Sequence, residues 1–113
     1  MLTPLFAARL GSAEGEHAAR RATELSRKVG DQRQLVPALF GLSLTYSARG
    51  KIRIGREVAE QMLAVTERLQ EPEPLAYAHN LMGNTLFWLA ELGTARMHLE
   101  KGISLYSQNG AAL

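Results

Sequence analysis

GNTLFWLAELGTARMHLEKGISLY, residues 83–106, is the stretch that decides the fold. With the residues just before it, it reads as two amphipathic helices meeting at a tight turn near Glu91–Leu92–Gly93. Ahead of the turn, Ala78, Leu81, Met82, Thr85, Leu86 and Leu89 recur at the i, i+3, i+4, i+7 spacing of one helical face. Behind it, Ala95, Leu99, Gly102, Ile103 and Tyr106 make a second stripe. Gly83 and Ala95 put small residues where two antiparallel helices must come close. The spacing predicts a helical hairpin.

The hairpin returns 40 positions upstream, without a gap. Gly83 corresponds to Ser43, Leu86 to Tyr46, Ala90 to Gly50 and Ala95 to Gly55. A second step of the same length takes Tyr46 to Phe6, Gly55 to Gly15 and Ala59 to Ala19. Self-similarity at a period of roughly 20–50 residues marks a solenoid, in which each unit buries its apolar face on the next. The chain divides on this reading into a partial repeat over 1–30 and full repeats over 31–70 and 71–110. These form one all-α domain.

Composition agrees with a single core. The 113 residues are 46% hydrophobic and 21% charged, ordinary for a globular domain and unlike a disordered one. Thirteen basic against eleven acidic side chains leave a net charge of +2, short of the dense basic patch of a nucleic-acid binder. No cysteine is present, which removes disulfide and thiolate chemistry and suits the cytoplasm. No apolar run approaches the roughly 18–20 residues of a membrane span. The opening MLTPLFAARLGSAEG has no basic leader and is broken by Pro4, so no signal peptide is expected.

Taken in order, Thr3–Leu10 reads as the tail of a helix and Gly11–Ser12 as a turn. The helix Ala13–Val29 follows, with Ala18, Ala19, Ala22, Leu25 and Val29 expected inward. Gly30–Asp31 stops it. The next helix runs from about Arg33 to Arg49, with Leu35, Ala38, Leu39, Leu42, Ser43 and Tyr46 inward and Pro37 in its first turn. After Gly50 a helix runs from about Lys51–Ile54 to Leu69, with Gly55, Val58, Ala59, Met62, Leu63, Val65 and Leu69 expected inward. Glu71–Pro72–Glu73–Pro74 is the clearest breaker. Helices from about Pro74 to Ala90 and Gly93 to Ser107 complete the chain, and Gln108–Leu113 is expected to fray. No stretch alternates as a strand would.

The small–aromatic–Gly–small order of each hairpin resembles the tetratricopeptide repeat, a protein-interaction module. The matching residues are Ser43, Tyr46, Gly50, Gly55 and Met62 in one unit, and Gly83, Leu86, Ala90, Ala95 and Gly102 in the other. Leu86 stands where the family has an aromatic, Ala90 where it has a turn glycine, and the period exceeds the usual value of about 34. RATELSRKVGDQRQLVPALFGL, REVAEQMLAVTERLQEPEPL and AHNLMGNTLFWLAELGTARMHLEKGISLY look like the repeat regions of large bacterial signalling proteins that carry a nucleotide-switch ATPase. The chain holds no GxxxxGK[ST] phosphate loop, so the ATPase activity does not carry over. The resemblance implies a right-handed α-solenoid of about two and a half hairpins, acting as a scaffold for a peptide or protein.

In that family the first helix of each hairpin lines the ligand groove, on the side away from its buried stripe. Here that side carries Phe40 and Leu44, then Tyr77, Asn80, Asn84, Phe87 and Trp88. Asn80 and Asn84 lie one turn apart, so both carboxamides face an extended peptide. Asn84 stands where the family often grips the peptide backbone. The plainer reading of the same residues is a solvated polar face, with Phe87 or Trp88 packed on a neighbouring helix.

Other chemistry has no candidate. There is no Ser–His–Asp arrangement and no paired carboxylate, so neither an enzyme nor a cofactor is expected. His17, His79 and His98 form no HExxH or other metal-ligand spacing, and His79, beside the stripe, reads as a half-buried structural residue. The alternative function is nucleic-acid binding through the Arg20–Arg33 face: Arg20, Arg21, Arg27, Lys28 and Arg33. The terminal helices are expected to leave Leu5, Phe6 and Leu10, and Leu99, Ile103, Leu105 and Tyr106, partly uncovered. Such patches mark interfaces, and a homodimer through a terminal helix is the expectation.

Overall fold

A computed structural model describes residues 11–108. The expected opening helix at Thr3–Leu10, with Leu5, Phe6 and Leu10, and the fraying end beyond Gln108 lie outside those residues. Five α-helices and no strand occur among the described residues: α1 (Ala13–Val29), α2 (Gln32–Ala48), α3 (Ile52–Leu69), α4 (Pro72–Trp88) and α5 (Leu92–Gln108). Each packs on its neighbours in sequence, and α2 touches α4 only lightly. No helix there is long and apolar enough to cross a membrane.

Local chemistry sets the helix ends. The Ser12 hydroxyl accepts from the Gly15 N–H at 2.9 Å and caps α1. The Asp31 carboxylate accepts from the Arg33 N–H at 2.9 Å and caps α2. Between them Gly30, at φ 78°, turns the chain while its N–H donates to the Ser26 and Arg27 carbonyls. Glu71–Pro74 is less of a breaker than its composition suggests, because Pro72 occupies the first position of α4, where its missing N–H costs nothing. The connection is therefore only Gln70–Glu71. The later turn likewise falls at Leu89–Glu91, slightly ahead of the expected Glu91–Gly93.

Two hairpins close with the same hydrogen bonds. Lys51 N–H donates to the Tyr46 carbonyl at 2.8 Å, and Glu91 N–H to the Leu86 carbonyl at 2.9 Å. Gly50 and Ala90 both turn through positive φ, 77° and 63°. Alanine there bears a Cβ penalty that glycine does not. Within each hairpin the two helices come very close. The Ser43 hydroxyl donates to the Gly55 carbonyl at 2.8 Å, and a Cβ on Gly55 would sit 2.8 Å from Ser47 Oγ. A Cβ on Gly83 would lie 2.5 Å from Leu99 Cγ and 3.1 Å from the Ala95 carbonyl oxygen.

The core runs through α2, α3 and α4: Leu35, Leu39 and Leu42, then Val58, Ala59, Met62 and Val65, then Ala78, Leu81, Met82 and Leu86. These match the expected stripes. Buried hydroxyls are satisfied locally, Thr45 on the Gly41 carbonyl and Thr85 on the Leu81 carbonyl, both at 2.8 Å. On α5, Ala95, Gly102 and Leu105 are buried, but Ile103 is 68% exposed. Ile103 thus leaves the expected stripe while keeping to the expected uncovered patch, and Leu105, expected uncovered, points inward. Residues two apart are turned by about 200° round a helix, so they cannot both face one partner, and α4 takes Leu105.

The first helix departs most. Ala18, Ala22, Leu25 and Val29 face away from α2, with Val29 65% exposed. The face that meets α2 carries Glu16, Ala19, Thr23 and Ser26, one or two turns apart. A polar clasp replaces the apolar stripe. Glu16 Oε1 accepts from Lys51 Nζ at 2.9 Å, and Arg49 Nε lies 3.0 Å from the same oxygen at an angle too poor for a hydrogen bond. Thr23 donates to the Ala19 carbonyl at 2.9 Å, and Arg27 to the Gln61 carboxamide at 2.7 Å.

The close approach of α4 and α5 can be tested with two glycines. Gly83→Ala gains helix propensity of about 1 kcal/mol, but its methyl overlaps Leu99 and the rigid Ala95 carbonyl. Overpacking of about 1–3 kcal/mol should win. Gly41, in mid-helix, is the control, since an added methyl there meets nothing within 4 Å. Gly41→Ala should raise the thermal midpoint while Gly83→Ala lowers it; a Gly83→Ala midpoint that rises as Gly41→Ala does would show that α4 and α5 are not in close contact.

The Glu16 pKa is lowered, first by the hydrogen bond from Lys51 and also by Arg49 and Arg20, against an upward push from burial. A depressed folded-state pKa means the stabilisation is complete above the unfolded value and is lost as pH falls through the folded one. Glu16→Gln should therefore be less stable than the wild type at pH 7, and the gap should narrow as pH falls through and below the ordinary carboxylate range. Denaturant titrations across that fall in pH measure it; a gap independent of pH would remove the clasp.

Candidate functional site

α2 and α4 are apolar on both faces, unlike α1 and α3, whose apolar residues fall on one side. One face of α2 and α4 enters the core. The other supplies the walls of a cleft, which opens because both helices lean on α3 and hardly touch each other. Val36, Pro37 and Phe40 form one wall, Glu71–Pro74 and Tyr77 the other, and Met62 lies between them. The volume is about 550 Å³. Proline smooths both walls, since Pro37 on one and Pro72 and Pro74 on the other carry rings with no polar atoms. Glu71 and Glu73 give the rim negative charge, and Arg33 pairs with Glu71.

Tyr77 also borders a second recess, of about 280 Å³, with Asn80, Leu99, Gly102, Ile103 and Tyr106. The Tyr77 and Tyr106 rings meet edge to face, centroids 6.4 Å apart. Beyond Tyr77 the outer side of α4 continues as Asn80, Asn84, Phe87 and Trp88, in one strip at helical spacing. Phe87 and Trp88 pack edge to face on each other at 5.9 Å, and Trp88 is 71% exposed.

Of the seven residues singled out from sequence, Phe40 and Tyr77 share the cleft, and Tyr77 and Asn80 share the recess. Asn84, Phe87 and Trp88 extend the strip outside both. Leu44 is half-buried against the core, as is part of Phe40, so α2 offers less free side chain than α4. Sequence reasoning missed Val36, Pro37, Met62 and the Glu71–Pro74 segment. The signal was present: Pro37 sits 40 residues before Tyr77 on the same helical face, and taking prolines only as punctuation passes over it.

The basic face is largely occupied. Arg20 lies 3.9 Å from Glu16, Arg27 donates to Gln61, and Arg33 pairs with Glu71. No group of three or more His, Asp or Glu side chains forms a metal cluster among the described residues. His79 and His98, distant in sequence, lie against each other across α4 and α5. The His79 pKa is lowered by burial and then by His98 and Lys101, with Glu67 opposing. No protein-family model, curated protein or solved structure matches this chain.

Proposed function

We propose that this protein is a non-catalytic interaction scaffold, a right-handed tetratricopeptide-like α-solenoid with a 40-residue period, whose α2–α4 face takes an extended peptide. The period is supported by the starts of α2 and α4 at 32 and 72, and of α3 and α5 at 52 and 92. It is supported again by the two left-handed turns at Gly50 and Ala90 and those at Gly30 and Gln70.

The observation that carries the binding reading is the α2–α4 cleft, apolar inside and acidic at its rim. It runs into an exposed strip of carboxamides and aromatic rings. An apolar side chain of the peptide fills the space between Phe40 and Tyr77. A neighbouring Lys or Arg meets Glu73, and the peptide backbone lies over Asn80 and Asn84. Mixed apolar and carboxamide surfaces of this kind bind main chain and side chain together. Membership of a bacterial signalling assembly in the cytoplasm fits this role, with the ATPase supplied elsewhere.

Selection from a library of extended peptides should return sequences with an apolar residue beside a basic one. Tyr77→Ala with Asn84→Ala should weaken the selected peptide about tenfold or more, the loss expected for a central aromatic contact, without changing helix content. Undiminished binding would place the site elsewhere. Binding of DNA or RNA that falls steeply with salt would instead support the Arg20–Arg33 face.

A homodimer through α5 belongs to the same reading and rests on Leu92, Met97 and Ile103, exposed by 59%, 57% and 68%. Burying each is worth roughly 1.5–3 kcal/mol. Light scattering at micromolar concentration should give twice the 12.4 kDa chain mass; a monomer withdraws the dimer.

A further inference from the structure

The α4–α5 interface holds two imidazoles that the peptide face does not use. His79 Nδ1 lies 2.9 Å from His98 Nδ1, and the rings stack at 5.1 Å between centroids with 30° between planes. Both residues are half-buried. Their meeting is imposed by the helix register. Gly83 against Ala95 lies on one side of the pair, and Gly102 against the Ala76 carbonyl on the other. With no side chains at those glycines, the helices come close enough for the rings at positions 79 and 98 to meet.

We propose that His79 and His98 form a two-histidine site for a divalent transition-metal ion, Cu²⁺ by preference, that clips α4 to α5. Metal–imidazole bonds of about 2.0 Å at a right angle place the two nitrogens about 2.8 Å apart, close to the separation in the structure. Imidazole nitrogens suit Cu²⁺, Ni²⁺ and Zn²⁺ and not Mg²⁺ or Ca²⁺, and Cu²⁺ heads the affinity order. Two protein ligands in adjacent tetragonal positions leave the rest to water. Both rings bind as their Nε2–H tautomers, each directing the Nδ1 lone pair at the ion, so loading the neutral pair requires tautomer exchange with solvent and no net loss of a proton. Burial favours the neutral form that binding needs. The charged groups acting on His79 are Glu67 of α3, which favours a cation, and Lys101 of α5, which opposes it.

Titration of the full chain with Cu²⁺ alone, at neutral pH, tests this. One equivalent should bind, with electron paramagnetic resonance showing two equatorial nitrogens and a thermal midpoint that rises with metal concentration. His79→Gln and His98→Gln, each checked for helix content, should each weaken binding at least about tenfold, since loss of one arm of a chelate forfeits its effective concentration. His17→Gln should change nothing. If both single variants bind Cu²⁺ as the wild type does, or the wild type binds none, the pair is an N–H···N hydrogen bond only and the proposal fails.

Discussion

The closeness of the two helices inside each hairpin is the constraint on which the rest of the structure depends. In one hairpin it is met by Gly83 against Leu99 and Ala95, in the other by Gly55 against Ser43 and Ser47. Helices held this near need no bulky filler between them. Their large residues are freed to build a core with the next hairpin, where Leu39, Met62 and Leu86 are fully enclosed. α3 takes contacts from both α2 and α4. Those two helices are left side by side with a gap between their outer faces, and the gap is the cleft. Close packing on one side thus creates the open surface on the other.

α1 obeys a different rule. Its anchoring rests mainly on polar contacts, Thr23 on the α2 backbone, Glu16 on the α2–α3 turn and Arg27 on Gln61 of α3, with Ala19 alone supplying an apolar side chain against the core. An ion pair at a partly wet interface contributes less than the same area of apolar burial. The anchoring of α1 therefore depends on protonation in a way that the α2–α5 core does not. The apolar residues that would have anchored it, Leu25 and Val29, lie 48% and 65% exposed on its other side.

Much of the fold was legible because helical periodicity and small residues speak directly. All five described helices lie within two residues of their expected bounds, and the inward residues of α2, α3 and α4 follow the expected stripes. The failures have one cause. Periodicity reports which residues share a face, not which neighbour that face meets. On α1 the stripe was real and pointed the wrong way, because Glu16 found two cations in the α2–α3 turn. At Ile103 and Leu105 both residues were apolar, and only the position of α4 decides between them. That Phe40, Tyr77 and Asn80 border the cleft and the recess was legible because they lie opposite the stripe. Pro37, Pro72 and the His79–His98 pair were missed because they matter through neighbours 35 or 19 residues away.

The central claim is that α4 and α5 come so close at Gly83 that no side chain on it could fit against Leu99 and Ala95, and proton–proton distances measure it directly. Nuclear Overhauser spectra of the full chain should show strong cross-peaks from the Gly83 Hα protons to the Leu99 methyls. Matching ones should join Gly55 Hα to the Ser47 Hβ protons. Their absence in a chain whose amide resonances are otherwise helical would separate the helices, and with them the shape of the cleft and the meeting of the two histidines.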